Sequence, residues 1–390
     1  MSTSIRFVGA TLVLPDRLIP EGQLVVENGR IADVSPMTLP GGRDLHGHFI
    51  VPGFIDVHVH GVEGIDTLDG SDAVNRLAER LVRFGVTAFC PTSIACPPDE
   101  LKRMLDGVRA AREAAVATHA RVLPAHLESN FINPDYRGAQ PRACIRKPRE
   151  TPEGEFSGQE ILDQIAAARP DVGIITLAPE IEGVLDLIPE LVKHGHRVSL
   201  GHSGASYDEA RAGILAGATH ATHLFNRMTP LNHRQPGLAG AVLESGEIAA
   251  GIVCDGVHVH AAAIRTAVAA KGTAKVMAIT DGTAGSGLPR GERASLGGRP
   301  ITVGDAAYLD DGTLAGSVLT MDRAFAILVQ WMGFSLIEAA QMCATTPARE
   351  LGLHGCGCIA PESVADLVVL DGDLNVVEVY VAGVRVWPRG

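Results

Sequence analysis

Residues 52–61 read Pro-Gly-Phe-Ile-Asp-Val-His-Val-His-Gly. Side chains alternate between the two faces of a β-strand, so Asp56, His58 and His60 share one face and the apolar residues between them share the other. Two imidazoles on one face at a strand end can hold one divalent metal ion. The alternative is an amphipathic strand with a solvated polar face, which a strand buried in a parallel barrel does not have. The stretch therefore predicts a buried parallel strand that ends in a metal site.

Further apolar, strand-like runs follow this one, and helical patterns separate most of them. The strand-like runs are 51–60, 87–92, 121–128, 173–177, 197–202, 219–223, 248–254 and 275–280, and the helical patterns are 73–84, 99–116, 181–194, 207–217, 261–272, 321–331 and 336–344. Eight apolar strands alternating with helices predict an α/β fold, a (β/α)₈ TIM-type barrel. A doubly wound sheet is the alternative, but no glycine-rich phosphate fingerprint follows an early strand.

Both ends of the chain read as short strands with turns. Asn28-Gly29 predicts a tight hairpin near the start, and glycine-containing breaks separate strand-like runs after residue 365. We expect the ends to come together as a small β-sandwich domain, 1–52 plus 358–390. The metal-dependent catalytic barrel would then span 53–357.

The composition of the 390-residue chain limits its class of function. Apolar residues make up 46% and charged residues 20%, which allows a large core. A net charge of −12 argues against nucleic acid or an anionic membrane surface as a partner, but it leaves room for a local site for an anionic small molecule. No signal segment or spanning run is recognisable, and seven irregularly spaced cysteines do not form a disulfide framework, so we expect a cytoplasmic protein.

Further candidate ligands stand at the ends of later strand-like runs. These residues are Glu128, His202, His223 and Asp281. Barrel enzymes place their sites where the carboxyl ends of the strands meet, so these side chains should converge with His58 and His60. Imidazole and carboxylate ligands favour zinc, and also suit iron, manganese or cobalt, over an all-oxygen magnesium or calcium site. His46 and His48 have the same two-residue spacing, but they precede the strand in a glycine-rich turn, and we predict no metal role for them.

Several short motifs occur in the order in which they stand in one known family. They are residues 52–61, His126-Leu127-Glu128, Gly201-His202-Ser203, Thr222-His223-Leu224-Phe225-Asn226, Gln235 to Gly240, Asp255-Gly256-Val257-His258, Ile279 to Thr283 and Leu314-Ala315-Gly316-Ser317. Over nearly its whole length the chain resembles the N-acetylglucosamine-6-phosphate deacetylases of the amidohydrolase superfamily. No single motif is specific, but the ordered set is.

The resemblance implies a role for each matched position. Glu128, His202 and His223 match the metal ligands typical of the family. His58 and His60 match a second metal position that some members have. The resemblance thus implies one or two divalent ions per chain, and Glu128 would bridge the two.

The resemblance also implies a catalytic carboxylate and a phosphate site. Asp281 matches the carboxylate. Asn226, His258 and Arg234 match residues that hold the substrate phosphate, with Arg234 contributed by the other subunit of a homodimer. Leu314 and Gly316 belong to a further motif and are expected to contact the substrate.

The chain departs from the family pattern at three places. Ser129-Asn130 replaces a Gly-Pro pair after the metal-binding glutamate. Gln140 replaces a histidine that contacts the substrate carbonyl, and glutamine can donate a hydrogen bond but cannot become cationic. Arg227 stands beside Asn226 where a small residue is common, and we count it among the substrate-binding residues.

Together these observations predict metal-dependent hydrolysis of the acetamide of an N-acetyl amino-sugar 6-phosphate, N-acetylglucosamine-6-phosphate first, with Asp281 and Gln140 as catalytic groups. One alternative is a different N-acetyl hexosamine, such as N-acetylgalactosamine-6-phosphate. Another is a different amidohydrolase, although the lysine that cyclic-amide hydrolases carry on the fourth strand is missing from 172–179. An inactive scaffold is a further alternative, but scaffolds usually lose ligands and none is missing here.

Overall fold

The computed structural model describes residues 4–36, 41–149 and 155–388. The predicted domain bounds 1–52, 53–357 and 358–390 include some residues outside these ranges. The domain boundaries themselves stay a prediction.

A nearly closed parallel barrel forms the centre of the molecule and confirms the predicted fold class. Its strands, in sheet order, are Phe54–Val59, Val86–Ser93, Arg121–Val122 continued by Ala125–Glu128, Val172–Leu177, Arg197–Leu200, His220–Ala221, Ala249–Val253 and Val276–Ile279. Pro124 interrupts the third strand, because proline has no N–H for the ladder. Beyond the eighth strand, the N–H of Asp281 donates to the carbonyl of His58 at 2.9 Å, so the first and eighth strands meet where the site lies.

Helices cover the outside of the barrel. They are Ala73–Leu81, Pro98–Ala114, Gly158–Ala167, Val184–Lys193, Tyr207–Leu215, Gly237–Glu244, Ala261–Lys271, Met321–Ala326, Leu336–Ala340 and Thr346–Leu351, with 3₁₀ turns at Val82–Phe84, Arg142–Cys144 and Thr273–Lys275 and π-helical turns at Ile327–Trp331 and Gln341–Thr345. Three of them, Gly158–Ala167, Gly237–Glu244 and Thr346–Leu351, were not among the predicted helical patterns. No helix in the described ranges is long and apolar enough to cross a membrane.

The chain ends form one separate, mainly antiparallel sheet. Its strands are Ser4–Val13, Leu18–Glu27, Arg30–Pro36, Arg43–Asp44, Phe49–Pro52, Leu367–Leu370, Val376–Val381 and Val384–Trp387. Asn28 and Gly29 have φ values of 51° and 78°, as the predicted hairpin turn requires. Phe7 and Tyr380 lie three strands apart in the sheet, yet their ring centroids are 5.1 Å from each other. A flat sheet would separate them by about 14 Å, so this sheet curls over its own core in a sandwich-like way.

A three-stranded antiparallel sheet follows the eighth barrel strand and was not predicted. Its strands are Arg293–Leu296, Arg299–Val303 and Ala307–Leu309. The N–H of Gly297 donates to Asp66 at 2.9 Å, and Arg299 donates to the carbonyl of Ala139. These contacts hold the small sheet over the carboxyl ends of the barrel strands. The short strands Gly61–Val62 and Ile65–Asp66 pair beneath it.

Candidate active site

The five predicted metal ligands come together at the carboxyl ends of the barrel strands. They are His58, His60, Glu128, His202 and His223, and none of them is more than 4% exposed. Each stands at or just beyond the end of its strand, so the parallel arrangement brings them to one end of the barrel.

Glu128 lies between two pairs of histidines. Its Oε1 is 2.9 Å from Nε2 of His202 and 2.9 Å from Nε2 of His223, and those two nitrogens are 3.0 Å apart. On the other side, the Nε2 atoms of His58 and His60 are 3.7 and 3.6 Å from the Glu128 carboxylate and 3.1 Å from each other. Within each group of three, the ligand atoms lie within 4.8 Å of one another. One carboxylate thus belongs to two candidate metal-binding triads.

The hydrogen bonds behind the imidazoles fit a metal-binding role. Nδ1 of His202 lies 2.9 Å from the carbonyl of Tyr136, and Nδ1 of His60 lies 3.2 Å from the carbonyl of Thr92. A carbonyl can only accept, so in both rings Nδ1 carries a proton and Nε2 is the nitrogen left to bind a metal. The Nε2 atoms face neighbouring nitrogens and a carboxylate, an arrangement that a cation between them would satisfy.

Asp281 stands against the first histidine pair. Its Oδ1 is 3.3 Å from Nε2 of His58 and 3.2 Å from Nε2 of His60. Its φ of 49° is in the left-handed region, as are those of His202 at 48° and His223 at 32°. Non-glycine residues adopt this conformation at a cost of about 1–3 kcal/mol, and such strain concentrates at functional sites. The strain turns each side chain inward directly after its strand ends.

The site holds its two carboxylates in the ionised form. Burial acts to raise the pKa of Glu128, but the histidines around it, His202 foremost, hold that pKa well below its usual range. His58 and His60 likewise outweigh burial and lower the pKa of Asp281. Burial acts to lower the pKa of His60, but Asp281 and Glu128 raise it to about 9. Two buried anions among histidines form an electrostatic setting suited to a cation.

Asp56 is a buried carboxylate beneath the site, and the sequence predicted no role for it. Asp56 accepts hydrogen bonds from the hydroxyl of Thr280 at 2.5 Å and from the N–H of His58 at 3.1 Å. Burial raises the pKa of Asp56 to about 7. Asp56 therefore links the first barrel strand to the eighth, directly under the histidine pair.

The departures from the family pattern have defined contacts. The Gln140 side chain accepts from the N–H of Ala95 at 2.7 Å, which fixes the orientation of its amide, and its Nε2 donates to Oε2 of Glu128. Asn130 donates to two loop carbonyls at 2.9 and 2.7 Å, and Ser129 donates to the carbonyl of Thr176 at 2.6 Å. Ser129 and Asn130 thus hold the loop after the third strand, while Gln140 faces the ligands.

A cavity with an empty volume of about 460 Å³, counting its open mouth, lies over this cluster. Besides metal-ligand candidates and Asp281, the residues that line it are Gly138, Ala139, Gln140, Asn226, Arg227, His258, Leu296, Leu314 and Gly316. Every predicted substrate-binding residue is among them except Arg234, which is exposed on the surface of its own chain.

The amidohydrolase family model matches residues 49–386. The chain belongs to the amidohydrolase family. The match spans the barrel and four of the eight strands of the end sheet, from Phe49–Pro52 onward.

Two relatives that are named for an activity match almost the whole of this amidohydrolase. The N-acetylglucosamine-6-phosphate deacetylase of Rattus norvegicus is 36% identical over 399 residues, 97% of this chain and 93% of the relative. The N-acetylgalactosamine-6-phosphate deacetylase of Escherichia coli O157:H7 is 32% identical over 374 residues, 95% of this chain and 96% of the relative. These matches confirm the resemblance seen in the motifs.

A solved structure is similar over the same length. It is an N-acetyl-D-glucosamine-6-phosphate deacetylase variant from Mycobacterium smegmatis in complex with N-acetyl-D-glucosamine-6-phosphate. Its TM-score is 0.90 at 31% identity, over 98% of this chain and 99% of the other.

Three cavity-lining residues of this amidohydrolase were not predicted. Gly138 and Ala139 belong to the loop before Gln140, and Leu296 comes from the small three-stranded sheet. The resemblance placed Gly138 and Ala139 next to a substrate contact, and this was the available signal for them. Leu296 had none, because its strand lies outside the barrel pattern.

Proposed function

We propose that this amidohydrolase removes the acetyl group of an N-acetyl amino-sugar 6-phosphate, N-acetylglucosamine-6-phosphate first, and releases acetate and the amino-sugar phosphate. The observation that carries the proposal is Glu128 between two histidine pairs with Asp281 beside it, in a cavity that also holds Asn226 and His258. Metal ligands, a carboxylate and polar cavity residues together suit the hydrolysis of a C–N bond in a polar substrate. An inactive scaffold would not need a complete ligand set.

The cofactor we propose is a divalent metal, one or two ions per chain, zinc first and iron, manganese or cobalt as alternatives. Glu128, His202 and His223 would hold one ion, and His58, His60 and Glu128 the second. When bound, such an ion lowers the pKa of a water molecule to around 7 and polarises the acetyl oxygen.

The remaining chemistry falls to the side chains of the chain itself. Asp281 takes the proton of the attacking water and later delivers it to the amine nitrogen, so that the amine leaves neutral. One carboxylate can do both because the steps are sequential. The amide N–H of Gln140, directed into the site by the N–H of Ala95, donates to the oxygen of the acetyl group as negative charge develops on it.

The phosphate end of the substrate needs donors further out in the cavity. We propose Asn226 and His258 from the same chain and Arg234 from the partner in a homodimer. Arg227, Leu314 and Gly316 line the same space. A Cβ at position 316 would stand 2.8 Å from Thr283 and 2.9 Å from the carbonyl of Asp281, so only glycine fits there without a clash.

A second candidate substrate is N-acetylgalactosamine-6-phosphate. Its support is the Escherichia coli relative of that activity. A cytoplasmic location stays a prediction; the seven cysteines are unpaired, as expected in a reducing compartment.

The test is an acetate-release screen of N-acetylglucosamine, N-acetylgalactosamine and N-acetylmannosamine, each with and without the 6-phosphate, on metal-loaded protein. We expect kcat/KM to be highest for N-acetylglucosamine-6-phosphate. A highest value for the galacto epimer would favour the second candidate. Equal values for phosphorylated and free sugars would contradict the phosphate part of the proposal, and no acetate from any of them would contradict the activity.

A further inference from the structure

One cavity-lining cation has no acidic partner. Arg227 is the one lysine or arginine among the described residues that line the cavity. Its guanidinium makes no hydrogen bond or ion pair with any residue in the described ranges. Glu128 and Asp281 line the same cavity, but neither forms an ion pair with Arg227. The guanidinium is therefore available to bind an anion from solution.

The backbone holds Arg227 next to the metal-ligand loops. The carbonyl of Arg227 accepts a hydrogen bond from the N–H of Ser203, the residue after His202, at 3.0 Å. Its Nε lies against Gly138, so closely that a Cβ at position 138 would be 2.8 Å from it. Gly138 has a φ of 57° and lines the same cavity. The guanidinium of Arg227 therefore lies against the loop that carries Gln140.

Two buried polar atoms in the same cavity have no partner. Nδ2 of Asn226 and Nε2 of His258 make no hydrogen bond within the described part of the chain. Nδ1 of His258 is already engaged, 2.6 Å from Oδ2 of Asp255, so Nε2 is the ring nitrogen left for a ligand. Buried polar atoms normally find partners, and a ligand is the natural one here.

We propose that Arg227 is a specificity-determining residue that binds the substrate phosphate within its own chain, together with Asn226 and His258. The proposal rests on the proposed function and adds to it a phosphate cation that needs no partner subunit. In this arrangement one chain supplies Arg227, Asn226 and His258 to the phosphate, and the partner's Arg234 would add a second cation. Charge also favours it, because an anionic substrate entering a protein of net charge −12 beside two carboxylates needs a local cation.

The experiment compares wild type, Arg227→Ala, Arg227→Lys and Arg265→Ala on N-acetylglucosamine-6-phosphate and on N-acetylglucosamine. Arg265 is an exposed arginine on the helix Ala261–Lys271 and controls for the loss of one positive charge. Arg227→Ala should raise KM for the phosphorylated sugar by about 10- to 100-fold, the size of one charge-assisted contact. It should leave kcat/KM for the free sugar unchanged.

The other variants sharpen the result. Arg227→Lys should give a smaller rise, because lysine keeps the charge but lacks the planar fork of donors. Inhibition by inorganic phosphate should weaken in Arg227→Ala by a similar factor, and Arg265→Ala should match wild type. An unchanged KM in Arg227→Ala, or an equal loss on both sugars, would overturn the inference while leaving the proposed function intact. A wild type without preference for the phosphorylated sugar would overturn both.

A mixing experiment tests the single-chain part. Arg227→Ala chains mixed with Asp281→Asn chains should recover no sites that hydrolyse the phosphorylated sugar with a wild-type KM, because every site then lacks either Arg227 or Asp281. Recovery of such sites would show that Arg227 acts across a subunit interface and would overturn this part of the proposal.

Discussion

The side-chain amide of Gln140 donates a hydrogen bond to Oε2 of Glu128, the carboxylate that lies between the two histidine pairs. The N–H of Ala95 occupies the carbonyl oxygen of the same amide, so the amide cannot turn over without leaving a buried donor unpaired. Gln140 is 4% exposed. Its amide is therefore a neutral donor held in a fixed orientation beside the candidate metal ligands.

We therefore expect Gln140→Ala to lose about 10²- to 10³-fold in kcat, as for other single donors to a developing oxyanion, with little change in metal content. Steady-state acetate release and elemental analysis on the same preparation would measure both. Gln140→Asn is the matched variant: it keeps the amide but is too short to reach Ala95 and Glu128 together, and it should also be impaired. A kcat close to wild type in both variants would remove Gln140 from the mechanism.

The two triads predict two metal positions per chain. Elemental analysis of carefully loaded wild type should find two equivalents. His58→Ala should lose one of them, because only the triad of His58, His60 and Glu128 is broken. His126→Ala is a useful control, since His126 packs on His58 with a ring-centroid distance of 4.6 Å but belongs to neither triad. No more than one equivalent in wild type, with content and rate unchanged in His58→Ala, would refute the second position.

Asp281 should act as the proton shuttle rather than as an essential ligand. Asp281→Asn keeps the shape of the side chain but loses both the base and the acid function, so it should retain most of the metal while kcat falls by several orders of magnitude. Metal content and kcat measured together separate the two roles. A fall in kcat of less than about tenfold would assign the shuttle to another residue.

The strand patterns in the sequence were sufficient to predict that the candidate metal ligands lie together. Parallel strands converge at their carboxyl ends, so any polar residue that ends an apolar run is directed to one place, and this located Glu128, His202 and His223. The alternation in residues 52–61 did the same for the histidine pair. Both predictions depend on the two-residue period of a strand and on the common direction of the barrel strands.

Features that depend on closure of the barrel or on local backbone conformation could not be predicted from these strand patterns. The meeting of Asp281 with His58 depends on how the eighth strand closes onto the first. The positive φ of His202 has no sequence signal, because few residues other than glycine adopt it and nothing in the local sequence marks the position. The strand that brings Leu296 to the cavity has neither an apolar run nor a helical period, since much of it is exposed or half-buried. Tertiary contacts decide all three.

A buried histidine outside the ligand set makes stability depend on pH. His220 lies in the barrel interior, and burial lowers its pKa from 6.5 to about 4. The folded protein keeps it neutral where the unfolded chain already binds a proton, so its contribution to stability is complete above pH 6.5 and is lost as the pH falls toward 4. Between pH 7 and pH 4.5 the loss should be about 2–3 kcal/mol.

The measurement is urea unfolding of metal-free wild type and His220→Gln at both pH values. Other groups titrate in both proteins, so the difference between their unfolding free energies isolates His220. That difference should move in favour of His220→Gln as the pH falls. A difference that stays constant would mean that His220 is protonated to the same extent in the folded and unfolded chains.

Arg234 tests whether a second subunit completes the phosphate site. It lies in an exposed turn, where its N–H donates to Asn232 at 3.1 Å and its guanidinium makes no hydrogen bond or ion pair with the described residues of its own chain. If it reaches the phosphate of a neighbouring site, Arg234→Ala should raise KM for the phosphorylated sugar by about 10- to 150-fold and spare the free sugar.

The cross-subunit part has its own signature. An Arg234→Ala chain keeps an intact Asp281, and an Asp281→Asn chain keeps an intact Arg234, so a hybrid dimer contains one site with both groups. Mixing the two inactive or weakened variants should restore activity toward the phosphorylated sugar, up to one site per hybrid. This is the reverse of the result expected for Arg227→Ala with Asp281→Asn, so the two mixtures control for each other, and a size measurement must show that chains exchange. Restored activity in neither mixture, despite exchange and despite a raised KM in Arg234→Ala, would place Arg234 at the site of its own chain.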